Sequence, residues 1–354
     1  MSERAKELGV DLRPHLKTSK SIDVARIATR GHSGAVTVAT LNEAEYFASH
    51  GIKDILYAVC VTPNKLDRVA QMTSIGARVT LITDSVEVAH AIASHPGEHS
   101  VMIEIDCGED RTGVSPEGTE LLEIAHVLDK GPRVELRGVM THGGQSYGCH
   151  DLESIVAVAE VERRSVVRAA ERLTTSGIRC EVVSVGSTPT AVHAKHLDGV
   201  TEMRPGVYLM GDLFQAGIGA CAEGDLAVTV LATIISHRRS ANRLVIDAGG
   251  LGLSKDRSTQ GWPFDAGYGR VLDAVTGAPL GDLKVTSVHQ EHGEVTSAQP
   301  IDWDALPIGS LVRVAPNHVC MTAAMYDEYA VVDGDDVVLA LWPRTNGWGP
   351  GHGL

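Results

Sequence analysis

The stretch 11-DLRPHLKTSK-20 sets Arg13, His15, Lys17 and Lys20 within ten residues of an acidic chain. It follows the helical-looking SERAKELG, and residues 12–15 read as a first, largely buried strand with Lys17 at its end. From there short apolar, β-branched runs recur through the first two thirds of the chain, at 36–39, 55–59, 79–82, 101–105, 136–141, 182–185 and 203–208. Helix candidates lie between them, at 41–50, 65–75, 85–94, 117–128 and 152–176. Eight strands, each followed by a crossover, is the count for a (β/α)8 TIM-type barrel. A doubly wound open sheet is the rival, with fewer strands and a switch point.

After about Cys221 the texture changes. LAVTVLATIISH, RLVIDAG, LKVTSVHQEHG, SLVRVAPNHVC and EYAVVDGDDVVLALW are strand-like, with turn-rich links and little helix. The expected organisation is α/β, with a barrel over 1–221 followed by a C-terminal all-β domain over 222–354. No internal repeat or low-complexity tract is visible, and the Gly-rich end, RTNGWGPGHGL, reads as loose.

The 354 residues are 43% hydrophobic, enough to bury a full core in one large domain or two ordinary ones. A net charge of −14 argues against nucleic acid and anionic membranes as partners, since both need a positive surface. No apolar run approaches the roughly 20 residues of a membrane span. The N-terminus lacks the apolar segment of a signal peptide, so a cytoplasmic location is expected. Six cysteines (Cys60, Cys107, Cys149, Cys180, Cys221 and Cys320) stand without a CxxC pair and read as free thiols.

In a barrel, chemistry gathers at the C-terminal ends of the strands. Lys17 falls there after strand one, with Arg13 and Lys20 as nearby cations. Neighbouring positive charge and a partly desolvated mouth both lower a lysine pKa and free the amine for Schiff-base formation; the bland reading is a solvated surface lysine. Arg111, in DCGEDRTG after strand five, offers a planar fork for an oxygen anion, or is a loop arginine. His142, in 141-THGGQSYGC-149, could lie flat against an aromatic ring, or be a satisfied structural histidine. The loop 186-GSTPT-190 supplies hydroxyls and backbone N–H groups ahead of a helix, which suits a phosphate as well as a plain helix cap. Beside it, Gly206 in 204-RPGVY-208 would let backbone approach a ligand. In 316-PNHVCMTAA-324, His318 and Cys320 lie two apart on an expected strand, so alternation points both to one face. Imidazole and thiolate suit zinc, but two ligands make an open site or none.

Taken in order, RPHLKTSK, MTHGGQSYG, VSVGSTPT, TEMRPGVY, QEHG and PNHVCMTAA resemble fold-type III pyridoxal-phosphate enzymes. More narrowly the chain is similar to the D-serine dehydratase and D-threonine aldolase family, with an alanine racemase-like barrel. The resemblance covers nearly the whole chain, and RPHxKTxK and the His-x-Cys segment are its most specific parts. It implies that Lys17 carries pyridoxal 5'-phosphate as a Schiff base. It places Ser187, Thr188, Gly206 and Val207 on the cofactor phosphate, Arg204 at the pyridine nitrogen, Arg111 near the phenolic oxygen and His142 near the ring. Gln145 and Tyr147 become substrate-side residues, and His318 and Cys320 hold a divalent metal. Aldolases of this kind carry His-x-Asp, which suits Mn²⁺ or Mg²⁺; His-x-Cys followed by a TAA-like run and a tyrosine, as in HVCMTAAMYDEY, resembles the D-serine dehydratases, and a thiolate favours zinc.

The implied activity is β-elimination from a D-3-hydroxy amino acid, giving pyruvate and ammonia from D-serine. The alternative is retro-aldol cleavage to glycine and an aldehyde, as in D-threonine aldolase. Both begin from one complex and differ in which bond stands perpendicular to the cofactor plane. Arg204 is racemase-like, which keeps racemisation as a third option. A non-catalytic pyridoxal-phosphate carrier and a metal-dependent barrel hydrolase are the readings from other classes. The resemblance also implies a homodimer. Relatives carry an extra strand ahead of the lysine strand, whereas here only MSERAKELGVDL precedes RPH.

Overall fold

The computed structural model describes residues 1–334 and 337–346. The chain forms two compact units, Met1–Gly206 and a second that begins at Val207.

The first unit contains β1 (Asp11–Leu12), β2 (Val36–Val38), β3 (Asp54–Cys60), β4 (Arg78–Thr83), β5 (His99–Ile105), β6 (Val134–Thr141), β7 (Val182–Val185) and β8 (Glu202–Met203). They pair in parallel in the order β1-β8-β7-β6-β5-β4-β3-β2. A parallel bridge between His15 and Thr37 then joins the two edges. Thr37 N donates to Pro14 O at 2.9 Å and Leu16 N to Thr37 O at 2.8 Å, so the sheet curls into a barrel. The strand expected at 203–208 stops at Met203, because Pro205 has no N–H to continue a ladder.

Helices at Leu41–Ser49, Leu66–Ser74, Val86–Ser94, Glu120–Asp129 and Leu152–Thr175 cover the sheet. Three of them start at side-chain caps. Thr40 Oγ1 accepts from Glu43 N at 3.1 Å, Ser85 Oγ from Val88 N at 3.3 Å and Asp151 Oδ1 from Ser154 N at 2.7 Å. Among the described residues no helix is long and apolar enough to cross a membrane, and no disulfide forms.

Leu56, Ile82, Met102, Met140 and Val182, one from each of β3 to β7, make an apolar layer inside the barrel. At the N-terminal ends of the strands the filling is ionic. Arg13 is 5% exposed and bonds Asp54 Oδ1 and Glu202 Oε2, each at 2.9 Å. Asp54 opens β3 and Glu202 opens β8, so Arg13 points away from the end that carries Lys17. Lys20 is paired as well, with Nζ 3.3 Å from Glu43 Oε1. The expectation that these two cations act on the Lys17 amine is therefore corrected: each is matched by carboxylates of its own.

Breaking a buried ion pair by removing one partner leaves an uncompensated charge, at a cost of about 3–5 kcal/mol. Arg13→Met should lower the stability of the first unit by that order, read as a lower urea midpoint. The Asp54 carboxyl is held below its ordinary range: burial raises it, but the charge and hydrogen bonds of Arg13 and Arg78 outweigh that. A depressed carboxylate contributes stability that is complete above its unfolded pKa of about 3.9 and lost as pH falls through the lower folded value. Arg13→Met should accordingly move the acid-unfolding midpoint to higher pH. An unchanged midpoint would show that the pair contributes nothing.

In the second unit β9 (Val230–Arg238), β10 (Arg243–Ile246), β11 (Gly269–Asp273), β12 (Pro279–Val288), β13 (Gly293–Thr296) and β14 (Leu311–Pro316) close an antiparallel barrel in the order β10-β13-β12-β11-β14-β9. Closure removes free edges, and Ile234, Leu244, Ile246, Val285, Val295 and Val314 fill the interior. A hairpin of β15 (Glu328–Val331) and β16 (Ala340–Pro343) follows. Most of the Gly-rich end lies outside the described residues, but its first residue is anchored. Arg344 is 7% exposed, donates to Tyr326 O at 2.5 Å and to Ala323 O, and lies over the Tyr329 ring.

Candidate active site

Lys17 does not end a strand. It sits in the turn that follows the His15–Thr37 bridge, exposed, at the C-terminal mouth of the first barrel. Its backbone N–H donates to His15 Nδ1 at 3.4 Å, so that ring nitrogen carries a lone pair. Burial, with the charges of Lys17, Arg204 and His142, holds His15 well below the ordinary histidine range, although a hydrogen bond to the Thr37 backbone opposes this.

The same cations reach the end of β6. His142 is half-buried, and its Nδ1–H donates to the Gly186 carbonyl. Burial depresses its pKa to about 3; the Gly186 bond opposes the shift, and Lys17, Arg111 and Arg204 deepen it. At neutral pH the ring is uncharged, with its tautomer set by Gly186 and Nε2 left as an acceptor. Tyr147 stands with its ring centroid 6.4 Å from that of His142, tilted by 44°.

Arg204 is 3% exposed inside the barrel, and its Nε donates to Ser184 Oγ at 2.7 Å while Nη2 donates to Thr141 O. Both acceptors are neutral. Burial lowers its pKa, against the pull of Glu202, Glu162 and Glu104. Arg111 lies nearer the surface, 3.2 Å from Glu109 Oε1 and 55% exposed. Gln145 Nε2 donates to Cys107 O at 3.0 Å, and its Oε1 is buried without a hydrogen bond among the described residues.

Ser187 caps the short helix Thr188–His193. Its Oγ accepts from Thr190 N at 3.2 Å, its N donates to Thr190 Oγ1 at 3.2 Å, and Ser146 Oγ lies 3.1 Å away. The cap reading of this loop thus holds. Gly206 permits a close approach, but to the chain itself: a Cβ there would meet His15 O at 2.7 Å. The first unit therefore gathers Lys17, Arg111, His142 and Arg204 around one mouth, with Gln145 and Tyr147 in the 3₁₀ turn Gly144–Gly148 and Ser187 and Thr188 at the start of the helix Thr188–His193. Val207 opens the 3₁₀ turn Val207–Leu209 in the second unit.

The second unit holds His318 and Cys320, not on a strand as expected. β14 ends at Pro316, His318 caps the helix Val319–Ala323, and Cys320 lies in its first turn. Asn317 forces the change. It is 1% exposed, with Nδ2 donating to Thr259 Oγ1 at 2.7 Å and to Gly267 O at 2.6 Å. Asp212 Oδ2 accepts from Val319 N at 3.0 Å and starts the helix. The two side chains still meet, through a hydrogen bond between His318 and Cys320. His318 Nδ1 also lies 2.5 Å from Asp256 Oδ2. Burial opposes the charged ring, but Cys320 and then Asp256 outweigh it and push His318 up to about 9. A carboxylate on Nδ1 leaves Nε2 for a metal, the usual arrangement around a zinc-bound histidine.

Sequence reasoning missed Asp256 and Asp212, which are isolated loop carboxylates until folding brings them to the His-x-Cys turn. It also missed His15 as a neighbour of Lys17, and Glu162, described below. A further grouping, Cys60, Asp84 and Glu104, stands at the ends of β3 to β5. Cys60 Sγ–H donates to Glu104 Oε2 at 3.0 Å, and burial with two carboxylates keeps the thiol protonated.

Residues 1–213 match the family described as alanine racemase, N-terminal domain, and residues 227–332 match the putative serine dehydratase domain. The D-threo-3-hydroxyaspartate dehydratase of Delftia sp. (strain HT23) is 42% identical over 98% of this chain and 93% of its own. The D-serine dehydratase of Dictyostelium discoideum is 33% identical over 98% of this chain and 93% of its own. Solved structures of D-threo-3-hydroxyaspartate dehydratase, one of them a cysteine-to-alanine mutant in the metal-free form, superpose with a TM-score of 0.93, at 42% identity over 98% of this chain and 93% of theirs. With a racemase-type parallel barrel, a serine dehydratase domain and dehydratase relatives along its whole length, the chain belongs to the fold-type III lyases of the D-serine dehydratase and D-threonine aldolase family.

Proposed function

We propose that the chain is a pyridoxal-phosphate- and metal-dependent dehydratase of D-3-hydroxy amino acids, with D-serine and D-threo-3-hydroxyaspartate as its candidate substrates. The observation that carries this reading is the hydrogen-bonded His318–Cys320 pair, backed by Asp256. A sulfur–nitrogen donor set is softer than an all-oxygen one and favours zinc. That a relative's cysteine-to-alanine mutant is described in a metal-free form supports metal use.

The mouth of the first barrel fits the cofactor chemically. It presents an exposed amine at Lys17, two histidines held neutral, and the cations Arg111 and Arg204, the latter bonded only by neutral acceptors in its immediate contacts. An anionic, aldehyde-bearing aromatic ligand complements such a surface. Lys17 would anchor it, Ser187 and Thr188 with the backbone at Gly206 would take its phosphate, and the neutral ring of His142 would lie beside it. Pyridoxal phosphate supplies an electron sink when bound, and zinc supplies Lewis-acid polarisation of a hydroxyl. The protein's part is then to move protons and orient the substrate. Lys17 would take the Cα proton, Arg111 would lie near the cofactor's phenolic oxygen, Gln145 and Tyr147 would face the substrate, and His318 and Cys320 would hold the metal.

Product analysis with D-serine, D-threo-3-hydroxyaspartate and D-threonine side by side tests the proposal. Ammonia with pyruvate, oxaloacetate or 2-oxobutyrate is the expected outcome. Glycine with an aldehyde would replace dehydration by aldol cleavage.

A further inference from the structure

Glu162 lies on the inner face of the helix Leu152–Thr175 and is 2% exposed. A buried carboxylate is costly unless its oxygens are satisfied, and burial does raise its pKa. What offsets the cost is specific. Oε1 accepts from Gly143 N at 2.6 Å and from Gly186 N at 3.1 Å, and the Thr190 side chain also bonds the carboxyl. Gly143 directly follows His142 at the end of β6. Gly186 directly precedes Ser187 at the end of β7, and its carbonyl takes the Nδ1–H of His142.

One carboxylate thus clips together two strand-end loops that the chain separates by some forty residues, and the His142–Gly186 bond closes the loop between them. The glycines make the clip possible. A Cβ on Gly143 would sit 3.1 Å from the Glu162 carboxyl, and one on Gly186 would sit 2.8 Å from Arg204 N. We propose that Glu162 is a positioning residue for the cofactor: through Gly143 and Gly186 it fixes the ring plane of His142 and the Ser187–Thr188 turn. This rests on the pyridoxal-phosphate reading above.

The test is direct titration of apoprotein with pyridoxal phosphate, following the circular dichroism of the bound chromophore, with urea unfolding of the apoprotein measured alongside. Two variants separate reach from charge. Glu162→Gln keeps the length and an acceptor oxygen and loses the charge; Glu162→Asp keeps the charge and is too short to reach both N–H groups. Positioning predicts that Glu162→Gln holds affinity within about threefold, whereas Glu162→Asp loses about tenfold or more, the worth of one hydrogen bond to a buried charged group, with an altered dichroism band. A role in folding alone would lower the urea midpoint and leave cofactor affinity and dichroism of both variants as in the wild type, which overturns the proposal. The reverse ranking, Asp retained and Gln lost, would assign the effect to charge and overturn it equally. If the wild-type chain binds no pyridoxal phosphate, the cofactor reading itself fails and this inference falls with it.

Discussion

Lys17→Ala should lose the absorbance band near the visible edge that pyridoxal phosphate gives on the wild-type protein, and dehydration of D-serine should fall by at least about 10⁴-fold. The magnitude is the upper range for removing one general acid–base group, and the loss of covalent attachment adds to it. The reason for singling out this lysine is now geometric. Of the basic residues in 11-DLRPHLKTSK-20, Arg13 is locked to Asp54 and Glu202 at the far end of the barrel and Lys20 is held by Glu43. Lys17 alone of the three is exposed at the mouth, and its charge is felt by both His15 and His142. Lys20→Ala should keep the band. A normal band in Lys17→Ala, or its loss only in Lys20→Ala, would assign the cofactor to the wrong amine.

The second large effect concerns the metal pair. Chelation, His318→Ala or Cys320→Ala should each reduce dehydration by about 10³-fold, equivalent to several kcal/mol of Lewis-acid stabilisation at the leaving hydroxyl. The cofactor band should survive all three treatments, because the residues assigned to the cofactor are different ones. Zinc should restore the chelated wild type and neither variant. Full activity in the chelated protein, with no zinc bound by elemental analysis, would show that the imidazole and thiol have no part in elimination.

The barrel strands were legible because a parallel strand covered on both faces reads as a continuous apolar, β-branched run. Val36–Val38 and Val182–Val185 are buried along their whole length, and several of the helices between strands carry local side-chain caps. Arg13 was misread because its partners lie 41 and 189 residues away, and no window along the chain shows a carboxylate that only folding brings near. His318 and Cys320 illustrate a different failure. Their spacing was read with the period of a strand, yet Asn317 and Asp212 turn the chain into a helix there, and the pair meets through cap geometry. Glu162 and Asp256 had no local signal at all: one sits in an amphipathic helix rich in charged residues, the other in a polar loop. The contacts that fix Arg204 and Gly206 had no local signal either: the arginine is bonded by Ser184 and Thr141, and the glycine makes room for His15.

The central claim is that one amine, at the turn after the first strand, carries the cofactor. Borohydride reduction of the holoprotein followed by digestion and mass spectrometry tests it most directly. A pyridoxyl-phosphate adduct confined to the peptide containing Lys17, and fragmenting to that residue, is the result expected here. An adduct on any other lysine, or none on a protein that still dehydrates D-serine, would contradict it.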